Sequence, residues 1–585
     1  DVERSRGLGD VYKRQKESIS KALAGFKITP DLPGIEILEV KGWDYQSLMK
    51  TYSYAEKIAR EHHIPVIIHV TELTQPLGHS TSGSHERYKS EERLKWEDDN
   101  DCNKKFEDWI LKNKISTKKK IQSIKEEISL YVKDEKKLAW DHYQRPIKDS
   151  KKDLIQTINN LERTVNINEM NEMFSNLDDS NFSELIEICR RLIYKLDGSD
   201  SNDRNSLINW KNKYMDILTN KYSTDLYSIS IDSLSSIPKV LPMYSDEEKF
   251  VDGRIIIRDN FDKLLENNSK IFIFGEDVGK IGDVNQGLEG LQKKHGKNRV
   301  FDTSIRESTI VGQGIGMSMR GLRPIAEIQY LDYILYALQI LSDDLGTLTY
   351  RTHGGQKAPL IVRTRGHRLE GIWHSGSPLG GMISFLRGVF ILTPRNMTKA
   401  AGFYNTLLDI DQPAVVIEPL NGYRTKEQLP SNYGQFKTPI GEIEILKEGT
   451  DITLVSYGST FNIVINVAKE IEKYGISCEV IDVQSLIPFD IKKEISKSVI
   501  KTNRLLIIDE DLPGGCSSYI LQELLEKQDI YEHLDSKPSL LTAKDHRPPY
   551  GSDGDYASKP SFEDIFERIY SIMRESDPEK YRRLF

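Results

Sequence analysis

Three groups of residues in this sequence have types and spacings that could do chemistry. The first is a carboxylate, Glu307, at the end of Val300-Phe-Asp-Thr-Ser-Ile-Arg-Glu307 and at the head of the small-residue run Ile310-Val-Gly-Gln-Gly-Ile-Gly316. A strand followed by a helix would deliver such an acid to a helix N-terminus, where negative charge is favoured by ~0.3–1 kcal/mol. Capping alone would explain it. The second is the acid pair Glu276-Asp277, set between Gly275 and Gly279 after the apolar stretch Ile271-Phe-Ile-Phe274. The third is a pair of histidines in loops rich in glycine and hydroxyls, His79 in Gly78-His-Ser-Thr-Ser82 and His374 in Gly371-Ile-Trp-His-Ser-Gly-Ser377. A histidine beside hydroxyls can donate to phosphate oxygens or exchange a proton near neutrality.

The elements that must position these residues read as α/β units. Residues 35–40 alternate in polarity, 45–63 show helical spacing and 65–70 form a continuous apolar strand. The His79 loop follows that strand at its C-terminal end, where open α/β sheets place ligands. Residues 91–153 are highly charged with spaced Trp, Phe, Ile and Leu and read as surface helices, and 154–245 continue as helices with polar interruptions. Strands are expected at 271–274, 299–302, 324–329, 360–363, 389–393 and 414–418. A later set at 451–456, 477–482 and 504–509 alternates with helices and predicts a small parallel sheet.

Composition narrows the function classes. The formal net charge is −8 and the basic runs Lys118-Lys-Lys120 and Lys151-Lys152 are short, so no nucleic-acid partner is expected. No run reaches the ~18 apolar residues of a membrane span, so no membrane association is expected. Cys102, Cys189, Cys478 and Cys516 show no metal spacing and read as free thiols of a reducing cytoplasm.

Taken together, D-T-S-I-R-E at 302–307, G-E-D-V-G at 275–279, G-L-R-P-I-A-E-I-Q at 321–329 and G-H-S-T-S at 78–82 resemble the thiamine diphosphate-dependent decarboxylating components of 2-oxo acid dehydrogenase complexes. Residues 16–145 resemble the alpha-type half and 246–575 the beta-type half, in the order of the fused bacterial forms. The resemblance implies a multidomain α/β thiamine diphosphate-binding fold. Its expected parts are a leader unrelated to the fold (1–15), the C-terminal part of an alpha-type domain (16–145), a helical connector (146–245), a beta-type pyrimidine-binding domain (246–430) and a transketolase C-terminal-like domain (431–585).

It also implies roles for residues. Glu307 would hydrogen-bond the aminopyrimidine, with Gln329, Tyr333 and Glu276 around the ring and with Glu276 and Asp277 in a buried proton relay between paired sites. His374 would serve the substrate end, although Gly376 stands where the family has Gln. His79 would act at the diphosphate or in acyl transfer, and Ser80 occupies the position of a phosphorylation switch in some relatives. The family's Mg²⁺ motif, G-D-G followed by Asn, does not occur in the sequence. Its expected place is upstream of residue 35, so the chain is expected to begin mid-domain, with the pyrimidine half-site and without the metal half-site. The implied reaction is oxidative decarboxylation of a 2-oxo acid, pyruvate or a branched-chain one, with acyl transfer to a lipoylated dihydrolipoyl acyltransferase by a cytoplasmic homodimer. A transketolase-like enzyme and a non-catalytic scaffold that docks the acyltransferase are the alternatives.

Overall fold

The computed structural model describes residues 18–74, 89–161, 181–196, 202–229, 231–366 and 377–584. Contacts divide the chain into two units, Asp1–Tyr214 and Met215–Phe585.

In the first unit, β1 (Glu36–Lys41) pairs in parallel with β2 (Val66–Thr71), and α1 (Tyr45–His62) connects them. Asp44 caps α1 by accepting from Ser47 N at 3.0 Å, and Ala55 and Ile58 face the strands' Ile37 and Val40 side as buried residues. Then come α2 (Glu91–Asp99), α3 (Cys102–Lys112) and α4 (Lys118–Asn159). α4 runs through Pro146 without a break. Its early apolar residues Ile124, Ile128 and Tyr131 are exposed, whereas Ile147, Leu154 and Ile158 are buried. α5 (Phe182–Lys195) contributes Leu185, Cys189 and Leu192 to the same unit, and α6 (Asn202–Ser223) contributes Leu207 and Trp210. The expected surface helices are therefore present, and in this second part they pack on one another.

The second unit holds two sheets. Its strands are β3 (Phe250–Asp252), β4 (Ile271–Gly275), β5 (Val300–Asp302), β6 (Arg323–Glu327), β7 (Ile361–Arg365), β8 (Phe390–Leu392), β9 (Ala414–Glu418) and β10 (Lys426–Gln428). They continue with β11 (Glu444–Lys447), β12 (Ile452–Ser456), β13 (Cys478–Asp482), β14 (Ser485–Ile487), β15 (Leu505–Ile508) and β16 (Ser539–Leu541). The larger sheet has the order β14-β8-β9-β7-β6-β4-β5, and the smaller the order β11-β13-β12-β15-β16. All pairs in the larger sheet are parallel except β14 with β8. The largely apolar runs of β9 and β12 suit strands buried on both faces. α7 (Gly253–Asn267), α8 (Glu307–Met319) and α9 (Met397–Leu408) cover the larger sheet. α10 (Phe461–Ile471) and α11 (Phe562–Ser576) pack on the smaller one through Val464, Ile471, Ile565 and Ile569. The two-stranded pair β3–β10 is separate.

In the larger sheet the chain passes from β4 to β5 on one side, then crosses over to β6 on the other. The connections leaving β4 and β6 thus diverge, and the crevice between their C-terminal ends is where such sheets bind ligands.

Candidate functional site

That crevice receives the predicted acids. β4 ends at Gly275, and Glu276-Asp277 follow directly. A Cβ at Gly275 would lie 2.6 Å from the Glu327 carbonyl oxygen and 2.8 Å from its Cβ, so only glycine lets β4 lie this close to β6. Asp277 adopts a left-handed conformation (φ 58°), which an Asp tolerates better than most residues. Gly279 N donates to Asp302 Oδ1 at 2.6 Å, and a Cβ there would come within 2.6 Å of Asp302 Oδ2. The G-E-D-V-G spacing is thus set by two close approaches, one at each end.

Glu307 is the first residue of α8. Thr303 N donates to the Gly275 carbonyl at 2.9 Å, which ties the segment before the helix to the end of β4. Glu276, Asp277, Glu307, Gln329 and Tyr333 are all half-buried. Gln329 lies two residues beyond β6, not within it, and its Nε2 donates to Asp277 Oδ2 at 3.4 Å. Burial pushes the Glu276 carboxyl upward, and the negative charges of Asp277 and Glu307 add to the shift. Burial likewise raises the Tyr333 hydroxyl, with Asp332, Glu276 and Glu307 contributing. The structure therefore gathers five of the predicted residues at one strand-end crevice. Neither Glu276 nor Glu307 has a hydrogen-bond partner or a cation among the described residues. The rings of Tyr330 and Tyr333 meet edge-on, 6.1 Å apart.

Half-buried carboxyls without partners among the described residues, one of them held toward its protonated form and flanked by tyrosines, fit a flat heterocycle with both donor and acceptor nitrogens. The described residues include no group of three or more His, Cys, Asp or Glu placed to hold a metal ion. His79, Ser80 and His374 lie outside the described residues.

A second set of acids sits at the end of a parallel strand in the smaller sheet. Asp509-Glu510-Asp511 follow β15. Asp509 Oδ1 accepts from the Tyr457 hydroxyl at 2.7 Å and from Asp511 N at 2.9 Å, and its Oδ2 from Ser517 N at 3.0 Å. Glu510 accepts from Ser459 Oγ at 2.9 Å and Asp511 from Leu512 N at 2.8 Å. All three are buried.

The sequence reading missed a group of charges beneath the crevice. Arg363 and Arg365 share one face of β7 and are sealed from solvent with Asp283, Glu327 and Glu418. The signal was present: two arginines at i and i+2 in an otherwise apolar strand demand buried carboxylates opposite them.

Comparison with known proteins gives matches along most of the chain. The family model described as Dehydrogenase E1 component matches residues 19–148. That of the transketolase pyrimidine binding domain matches 251–426, and that of the transketolase C-terminal domain matches 441–558. Pyruvate dehydrogenase E1 component subunit beta of Acholeplasma laidlawii is 32% identical over 321 residues, covering 54% of this chain and 96% of the relative. 2-Oxoisovalerate dehydrogenase subunit beta of Bacillus subtilis is 30% identical over 283 residues, covering 48% and 85%. Pyruvate dehydrogenase E1 component subunit beta of Staphylococcus epidermidis is 31% identical over 320 residues, covering 54% and 97%.

Proposed function

The chain belongs to the thiamine diphosphate-dependent 2-oxo acid dehydrogenase E1 family, with a dehydrogenase E1 segment followed by beta-type pyrimidine-binding and transketolase C-terminal domains, and from that premise we propose that it decarboxylates a 2-oxo acid and passes the acyl group to the lipoyl group of a dihydrolipoyl acyltransferase. The observation that carries this reading is the crevice between β4 and β6, where Glu276 and Glu307 lie half-buried without partners among the described residues.

In this reading Glu307 hydrogen-bonds a pyrimidine nitrogen and holds the proton there. Glu276, protonated more readily than an ordinary carboxyl, and Asp277 pass protons to and from the crevice. Gln329 and Tyr333 orient the ring. Thiamine diphosphate, when bound, supplies the electron sink for decarboxylation. His374 orients substrate, while His79 and Ser80 serve the diphosphate side. The accompanying Mg²⁺ is part of the proposal, but no metal ligand is assigned to this chain, whose sequence contains no G-D-G. The working form proposed is a cytoplasmic homodimer. Among the described residues no helix is long and apolar enough to cross a membrane.

The test pairs calorimetric titration of the chain with thiamine diphosphate and Mg²⁺ with a decarboxylation assay on pyruvate and on 2-oxoisovalerate, using an artificial electron acceptor. Cofactor-dependent turnover of one of the two supports the reading and names the substrate class. Turnover of neither, with acyltransferase binding retained, favours the scaffold alternative.

A further inference from the structure

The proposed proton handling leaves unused a group of charges sealed beneath the crevice. Arg363 is fully committed. Its Nε donates to Glu418 Oε1 at 2.9 Å, its Nη1 to Asp283 Oδ2 at 3.0 Å and to Glu327, and its Nη2 to the Tyr423 hydroxyl at 2.8 Å. Arg365 differs. Its Nη2 lies 2.6 Å from Glu327 Oε2 and its Nη1 3.6 Å from Asp283 Oδ1. Yet none of its nitrogens makes a hydrogen bond of good geometry, and Glu327 Oε1 also lacks a partner. Arg365 is thus paired by charge and not fixed by direction.

The two carboxylates that Arg365 pairs with belong to the two segments that carry the crevice. Asp283 closes the turn after β4, its N–H donating to the Asp277 carbonyl at 2.8 Å, and that turn bears Glu276 and Asp277. Glu327 is the last residue of β6, two before Gln329. Arg363 also reaches β9 through Glu418, whereas among the described residues the ion pairs of Arg365 go to Asp283 and Glu327 alone.

We propose that Arg365 is a positioning residue: by bridging Asp283 and Glu327, its guanidinium fixes the turn bearing Glu276 and Asp277 against the strand end bearing Gln329. It touches neither substrate nor cofactor. The catalytic consequence rests on the proposed function, but the bridge itself does not.

The test uses the full chain and hydrogen–deuterium exchange, which needs no cofactor, on Arg365→Lys, Arg365→Met and Arg365→Met/Glu327→Gln. The double variant keeps the formal surplus of one negative charge that the parent's two arginines and three carboxylates carry. Arg365→Met is expected to speed exchange at 276–283 and 327–331 by about tenfold, with β12 and β13 unchanged, because local opening is governed by local contacts. Arg365→Lys restores part of the protection, and the double variant none. In preparations that turn over, the acid limb of the kcat profile shifts by about half a pH unit at unchanged KM, because burial and the spacing of Glu276 from Asp277 and Glu307 set its proton affinity. Parental exchange at 276–283 in Arg365→Met overturns the proposal. So does a rise spread evenly over 250–426, or full recovery in the double variant, which would make net charge and not the bridge responsible. Should Arg365→Met fail to fold, Arg365→Lys carries the test, with exchange at 276–283 expected to be about threefold faster. A parent chain that never decarboxylates refutes the proposed function and leaves the exchange result standing.

Discussion

Two acid clusters sit at the C-terminal ends of parallel strands in this molecule, and they are opposites. Asp509-Glu510-Asp511 is buried, and each of its carboxylates accepts from Tyr457, Ser459 or backbone N–H groups. Glu276-Asp277, with Glu307 opposite, is half-buried, and Glu276 and Glu307 have no partner among the described residues. In sequence the two look alike, since G-E-D-V-G and D-E-D-L-P-G-G both place acids beside glycines. The difference lies in what surrounds them. Acids whose lone pairs are filled from within hold a fold together, and acids left unfilled at a crevice are available to something that arrives.

The contrast can be broken most severely at Glu307. Glu307→Gln should cut decarboxylation by ~10²–10⁴-fold, the range of a positioned acid or base, because an amide can hydrogen-bond the ring but cannot exchange its proton. Stability should stay within ~0.5 kcal/mol of the parent in urea titrations. Activity within about twofold of the parent would end the assignment of Glu307. Asp509→Ala should do the reverse. It strands the Tyr457 hydroxyl and the Ser517 N–H, so unfolding free energy should fall by ~2–4 kcal/mol while turnover per folded molecule holds. Lost turnover at undiminished stability would show that the two clusters have been assigned the wrong way round.

Beneath the crevice, burial pushes Glu327 up from 4.5 to about 7, against the pull of Arg365 and Arg363. A carboxyl raised in this way contributes stability that is complete below its unfolded value and is lost as pH rises through the folded one. The decline therefore lies above the ordinary carboxylate range, not below it. Asp482, raised to about 6 by burial, acts with the same sign. Chemical denaturation at pH 5 and pH 8 should show the decline, and Glu327→Gln should flatten it; an unchanged slope in that variant would place the proton elsewhere. The smallest effect belongs to Glu276→Gln. It relieves both burial of charge and repulsion by Asp277 and Glu307, so it should stabilise by less than ~1 kcal/mol at pH 8 and by nothing at pH 4. Destabilisation at pH 8 would mean that Glu276 has a partner in solution.

Sequence reading reached the central strands because each carries aliphatic residues between polar or glycine-bearing flanks. Ile271–Gly275, Ile361–Arg365 and Cys478–Asp482 lie within two residues of their expected limits. The edge strands β11, β14 and β16 escaped, since Glu444–Lys447, Ser485–Ile487 and Ser539–Leu541 are too short to show a period. At the site, residues adjacent in sequence to a strand end were legible. The partners of Arg363 and Arg365 were not, because Asp283, Glu327 and Glu418 come from three separated segments that only the sheet order brings together.

One of those edge strands has a consequence for the order in which the chain can fold. β8 waits for β14 to cover its open edge, and some 95 residues separate Leu392 from Ile487. At the usual ~5–20 residues per second of synthesis, that edge stays bare on the ribosome for roughly 5–20 s. A flat, apolar strand edge exposed for so long is a template for pairing with other nascent chains. The larger sheet is therefore expected to need chaperone shelter until the start of the C-terminal domain has emerged, and truncation anywhere between residues 393 and 484 should yield aggregates where a release after 487 does not.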